Sequence, residues 1–174
     1  ADKNSLVAAA ERLQAEKTPL DIIIHNAADT TSKPFRHTTL EEIDHLFRTN
    51  VTGMLQLTRL VIPDLLRDGK GTVVMISSLA GYKANPSQTV YSISKAGVRF
   101  AAEALAAEFR TSGIHIMCAA VPSIGSGNHP LKIDHYANRL ERAIERKENE
   151  VFFTRTSALL MRLYGLLPEL KRLV

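Results

Sequence analysis

Hydrophobic positions along the chain follow two rhythms, and the switches between them mark out the elements. Over residues 2–17, Leu6, Val7, Ala10 and Leu13 recur at helical spacing, with Asp2 or Asn4 placed to cap the first turn and Thr18-Pro19 placed to end it. Residues 20–25 are a continuous apolar run with three isoleucines, which fits a strand buried on both faces of a parallel sheet. A polar loop covers 30–39. Thr39-Leu40-Glu41-Glu42 then reads as a capping box, and a helix is expected to about residue 67. Its apolar stripe holds Ile43, Leu46, Phe47, Val51, Met54, Leu55, Thr58, Val61 and Ile62, with Pro63 and Gly69 as stop signals. Strands are expected at 72–77 and 114–121, and a long alanine-rich helix at 89–110. Residues 134–146 form a helical pattern with Tyr136, Leu140 and Ile144 spaced by four, and 150–154 a short strand at a sheet edge. The last stretch, 155–174, is apolar with interspersed Arg155, Arg162, Lys171 and Arg172, and Pro168 interrupts it. It reads as a helix covering a pocket or touching a subunit. An amphipathic helix lying on a membrane surface is the alternative.

Composition narrows the class. The 174 residues are enough for a single domain, 1–174, and 45% hydrophobic with 23% charged residues is ordinary for a soluble globular protein. The net charge of +4 is mild, and Lys and Arg are scattered apart from the C-terminal end, so no nucleic-acid footprint is read. The single Cys118 excludes an internal disulfide framework, fits a reducing, cytoplasmic compartment, and is expected as a small buried hydrophobe on a strand. The sequence has no apolar run long enough for a membrane span and does not open on a signal peptide. Its six histidines show no metal-ligand spacing, so no metal site is expected.

Candidate chemistry gathers in residues 78–95. Tyr91 and Lys95 are four apart, so on a helix they share a face. A lysine ammonium beside a phenol favours the phenolate, because opposite charge stabilises the ionised form. The pair is therefore a candidate acid or base near neutral pH. Ser78 stands where the strand at 72–77 gives out, so a loop can fold its hydroxyl back over the start of the helix.

Ser78, Tyr91 and Lys95, with Tyr-x-x-x-Lys on a helix, resemble the short-chain dehydrogenase/reductase family. Three more segments carry the resemblance, in matching order: Asp21-Ile22-Ile23-Ile24-His25-Asn26-Ala27-Ala28, Thr49-Asn50-Val51-Thr52-Gly53, and Met75-Ile76-Ser77-Ser78-Leu79-Ala80-Gly81. The family fold is a Rossmann-like, doubly wound α/β sheet, and this chain would supply strands four to seven of it, its C-terminal portion. The resemblance implies hydride transfer between a carbonyl or secondary alcohol and NAD or NADP. Tyr91 would be the general acid/base, Ser78 would hold the reacting oxygen, and Lys95 would tune Tyr91 and bind the nicotinamide ribose. Asn50, at a local helix distortion, would link Lys95 to solvent through a water. Asn26, Ala27 and Ala28 would lie beside the cofactor, as would Pro122 and Ile124. Ala28 stands where the family has Gly, and Ser123 replaces a Gly after Pro122. The family also implies a homodimer or homotetramer packed through the helices at 41–66 and 89–110. The substrate would be a small carbonyl compound or alcohol, and the apolar C-terminal segment points to a hydrophobic one.

The Gly-rich turn that holds a dinucleotide pyrophosphate does not occur in this sequence. The resemblance therefore implies a piece of a longer polypeptide, with residues 20–25 left as an apolar edge strand. A truncated or non-catalytic relative, acting as an oligomerising binding module, is the second reading.

Overall fold

The computed structural model describes residues 2–16, 19–122 and 133–166. Four strands, β1 (Ile22–His25), β2 (Gly71–Ser78), β3 (Ile114–Val121) and β4 (Glu150–Phe152), lie side by side in chain order and are all parallel. Helix α1 (Lys3–Glu16) precedes β1, α4 (Thr89–Glu108) joins β2 to β3, and α5 (Ile133–Glu145) joins β3 to β4. Between β1 and β2 one continuous helical stretch contains α2 (Leu40–Phe47), a π-turn (Arg48–Thr52) and α3 (Gly53–Asp68). Helix α6 (Arg155–Leu166) follows β4. This is an α/β Rossmann-like arrangement with a parallel four-stranded sheet.

The strands are buried on alternate sides by different helices. Val73, Met75, Ile116 and Cys118 face α3 and α4, where they meet Met54, Leu65, Val98 and Ala102. Val74, Met117 and Ala119 face the other way, onto Tyr136 and Ala143 of α5. Both layers explain why β2 and β3 read as unbroken apolar runs. Each fully buried Val or Met contributes about 1.5–3 kcal/mol. The chain moves in one direction across the sheet, yet α5 lies on the face opposite α3 and α4. The β3–α5–β4 connection therefore has the opposite hand to the two before it, so this sheet holds a departure from the right-handed rule.

Two features differ from the sequence expectation. β1 pairs with β2 alone, the apolar edge strand that the resemblance implied, but it is not buried on both faces: Ile22 and Ile24, on the sheet face that carries α5, lie beyond its reach and are each 49% exposed. Pro63 does not stop its helix but sits inside α3, where it removes only the N–H that would have bonded Arg59, and the turns around it hold. The stop comes at Gly69, whose φ of +62° is left-handed and whose N–H bonds Leu66. The helix expected from residue 39 carries the local distortion that the resemblance implied at Asn50, in the form of the π-turn.

Local signals elsewhere act as expected. Asp2 caps α1 by accepting from the backbone of Asn4 and Ser5. Thr39 and Glu42 close both halves of the capping box on α2. Cys118 is a buried free thiol on β3. Helix α6 packs Ala158 and Met161 against Phe152 and Ala120, and residues 167–174 of the expected C-terminal segment lie outside the described residues. Among the described residues no helix is long and apolar enough to cross a membrane.

Candidate active site

The carboxyl ends of β1, β2 and β3 finish side by side, the place where parallel α/β sheets open their crevices. An open cleft of about 760 Å³ lies there. It is lined by Asn26 and Ala28 after β1, Ser78 at the end of β2, Tyr91 and Lys95 on α4, and Pro122 after β3. Residues from four chain segments thus meet on one surface. Asn50 and Ala27 are not on that lining, and Ile124 lies outside the described residues. The lining also takes in the apolar Leu79, Ala84, Pro86, Val121 and Met161 of α6, beside the polar Lys83, Asn85 and Gln88.

Lys95 is 3% exposed, and its Nζ donates to the carbonyl of Ile76 at 2.9 Å. The ammonium stands 5.8 Å from the centroid of the Tyr91 ring. Burial lowers the Lys95 pKa to about 8, because a low-dielectric site disfavours the charged form. An ammonium carries three donors and Ile76 takes one, so two remain for oxygen acceptors in the cleft. That donor set fits the hydroxyl pair of a nicotinamide ribose.

Ser78 ends β2 and caps the short 3₁₀ turn Leu79–Gly81, its Oγ accepting from the Ala80 N–H at 3.2 Å. Its own O–H remains available as a donor. The turn is seated directly on α4. A Cβ on Gly81 would come within 2.8 Å of the Lys95 carbonyl carbon and oxygen, so only glycine lets the two backbones meet here. Beside it, the buried Ser77 Oγ donates to the same Lys95 carbonyl at 2.8 Å.

Asn50 is 2% exposed at the π-turn, and its amide is fully engaged. Oδ1 accepts from Asp29 N–H at 2.7 Å, while Nδ2 donates to Asp29 O and to Ser94 Oγ, both at 2.9 Å. Ser94 in turn donates to the backbone carbonyl of Tyr91 at 2.8 Å. The amide thus ties the loop after β1 to the helical turn that carries Tyr91. With both amide protons in use, a water between Asn50 and Lys95 would be held by an Asn50 oxygen. Ser94, Ser77 and Gly81 were not singled out from the sequence. A serine inside a helix, where it is a weak former, was the legible signal for Ser94.

A family model described as short chain dehydrogenase matches residues 1–132. A ketoacyl reductase from Nostoc sp. is 30% identical over 164 residues, covering 85% of this chain and 56% of that protein. The acetoacetyl-CoA reductase of Cupriavidus necator is 35% identical over 116 residues, 67% of this chain and 47% of that one. A bulky-bulky ketone specific alcohol dehydrogenase from Comamonas testosteroni superposes with a TM-score of 0.78 at 25% identity, over 94% of this chain and 68% of that chain. The chain spans about half the length of the curated relatives it matches.

Proposed function

The chain belongs to the short-chain dehydrogenase/reductase family, and on that footing we propose that it carries the reacting groups of an NAD(P)-dependent oxidoreductase interconverting a carbonyl and a secondary alcohol. The observation that carries this reading is one cleft lined jointly by Ser78, Tyr91 and Lys95. Tyr91 gives or takes the proton of the reacting oxygen. Ser78, an acceptor toward Ala80, spends its O–H on that same oxygen and orients it. Lys95 stabilises charge developing on the phenol, and its two spare donors hold the ribose of the cofactor. The bound nicotinamide would give a hydride to the carbonyl in its reduced form and take one from the alcohol in its oxidised form. Asn26, Ala28 and Pro122 line its berth, with Ala27 between the first two. Asn50 holds the β1 loop against the Tyr91 turn. The apolar Leu79, Val121 and Met161 of the lining fit a hydrophobic substrate. Buried, unpaired Cys118 fits a reducing, cytoplasmic setting.

The test uses the full chain with NADPH or NADH and acetoacetyl-CoA or cyclopentanone as probe substrates, following loss of reduced cofactor. Tyr91→Phe is expected to lower turnover by about 10³-fold, the scale of lost general acid–base catalysis, with little change in cofactor affinity. Wild-type turnover in that variant, or a chain that leaves NADPH fluorescence unchanged on titration, refutes the reading.

Copies of the chain are proposed to pair through α3 and α4 into a homodimer or homotetramer. Leu55 and Leu66 on α3, and Ile93 and Phe100 on α4, are exposed apolar residues on these two helices.

A further inference from the structure

Tyr82 belongs to none of the motifs used above, yet side chains from α4, β3 and β4 meet it. It closes the 3₁₀ turn that Ser78 opens, its N–H bonding the Leu79 carbonyl at 3.0 Å. Its hydroxyl donates to Oε1 of Glu150 on β4. Its ring packs edge-on against Phe152, with centroids 5.3 Å apart. The guanidinium of Arg99, one helical turn beyond Lys95 on α4, lies 5.1 Å from the same ring. The Cys118 thiol is 3.9 Å from the hydroxyl.

The chemistry makes this a one-way bond. Burial first, then the neighbouring thiol and carboxylate, push the ionisation of Tyr82 far above the ordinary phenol range. The phenol therefore keeps its proton and donates it to a carboxylate, the stronger class of hydrogen bond. The Cys118 thiol is pushed up to about 11, mainly by burial, and stays neutral beside it. Nothing in this cluster reacts; it holds.

What it holds is the far end of the serine turn. Ser77, before the turn, and Gly81, its last residue, both rest on the Lys95 carbonyl, the first by a hydrogen bond and the second by backbone contact alone. Without the Tyr82 hydroxyl bond to Glu150, the end of the turn is held only by the backbone contact at Gly81 and can loosen, carrying the Ser78 hydroxyl with it. We propose that Tyr82, clamped by Glu150 and Arg99, is a positioning residue that fixes the Ser78 hydroxyl relative to Tyr91 and Lys95. This rests on the reading of those three residues as the reacting groups.

The experiment compares the full-length wild type with Tyr82→Phe, Glu150→Leu and Glu150→Gln. Hydrogen exchange is read at the amides of Ala80, Tyr82 and Lys83, which bond Ser78 Oγ and the Leu79 carbonyl. Tyr82→Phe and Glu150→Leu are expected to speed exchange at these amides about fivefold, the opening that follows loss of one ordinary hydrogen bond. Exchange in β2 and α4 stays unchanged. Glu150→Gln, whose amide oxygen still accepts, stays close to wild type. With NADPH and acetoacetyl-CoA, kcat falls about tenfold in the first two variants, KM for NADPH does not move, and Glu150→Gln restores the rate. Wild-type exchange in Tyr82→Phe overturns the clamp, and so does acceleration spread evenly over β2 and α4. Faster exchange with unchanged kcat overturns the positioning role. A wild type without turnover refutes the oxidoreductase reading, and the exchange data then decide the clamp by themselves.

Discussion

Lys95 places a positive charge where water scarcely reaches, and that has a consequence for stability. Its pKa falls to about 8 in the folded chain, against 10.5 for the free group, because burial disfavours the ammonium. Below pH 8 both states carry the proton, and the folded state bears the full cost of a buried cation. Between pH 8 and about 10.5 the unfolded chain binds more protons than the folded one, so stability rises with pH through that window. Replacing Lys95 with Met removes the cost at neutral pH. We expect Lys95→Met to unfold at higher urea concentration than wild type at pH 7, with the gap narrowing toward pH 10. Urea titrations across that range check it, and a gap that widens with pH contradicts the burial argument.

At the scale of elements, the decisive feature is the π-turn between α2 and α3. It sets Asn50 on the buried side of a helix, where a polar amide is costly unless paired. Three bonds, two to Asp29 and one to Ser94, meet that demand and couple the β1 loop to α4. Asn50→Ala would leave the Asp29 N–H and carbonyl without these partners in a partly buried site. The expected loss is about 2–4 kcal/mol, on the scale of one or two unsatisfied groups, and chemical denaturation measures it. Loss of under half a kilocalorie would mean that water replaces the amide freely. Thr39 and Glu42 show the opposite case, an element boundary set by neighbours in sequence. That capping box needed no tertiary partner and was legible at once.

At the scale of the whole molecule, exposed apolar features stand apart from the cleft among the described residues. One is the β1 edge, with Ile22 and Ile24 half exposed. Another is the surface of α3 and α4, with a groove of about 550 Å³ lined by Leu55, Leu66, Leu105 and Phe109. Apolar side chains left in water on adjacent helices favour burial against a second copy. Light scattering after size exclusion is expected to give a dimer or tetramer mass, and Phe100→Glu is expected to shift it toward the monomer. A strict monomer for the wild type rules out the helix-mediated assembly.

Most of the elements are written in local periodicity. The apolar runs of β2 and β3, the helical stripes of α1, α3 and α4, and the capping box of α2 are each decided by residues near in sequence, so their chemistry shows without a fold. The one-turn spacing of Tyr91 and Lys95 belongs to the same class, and the family motifs placed Ser78 and Asn26 with them. What periodicity cannot express is contact between residues far apart in the chain. That Ile22 and Ile24 face solvent depends on which strands and helices lie beside β1. That Asn50 joins Asp29 to Ser94, and that Tyr82 reaches Glu150, depends on bringing together residues 21 to 68 positions apart. Those pairings exist only once the sheet has set its strand order, because a hydrogen bond is decided by distance in space and a sequence records only distance along the chain.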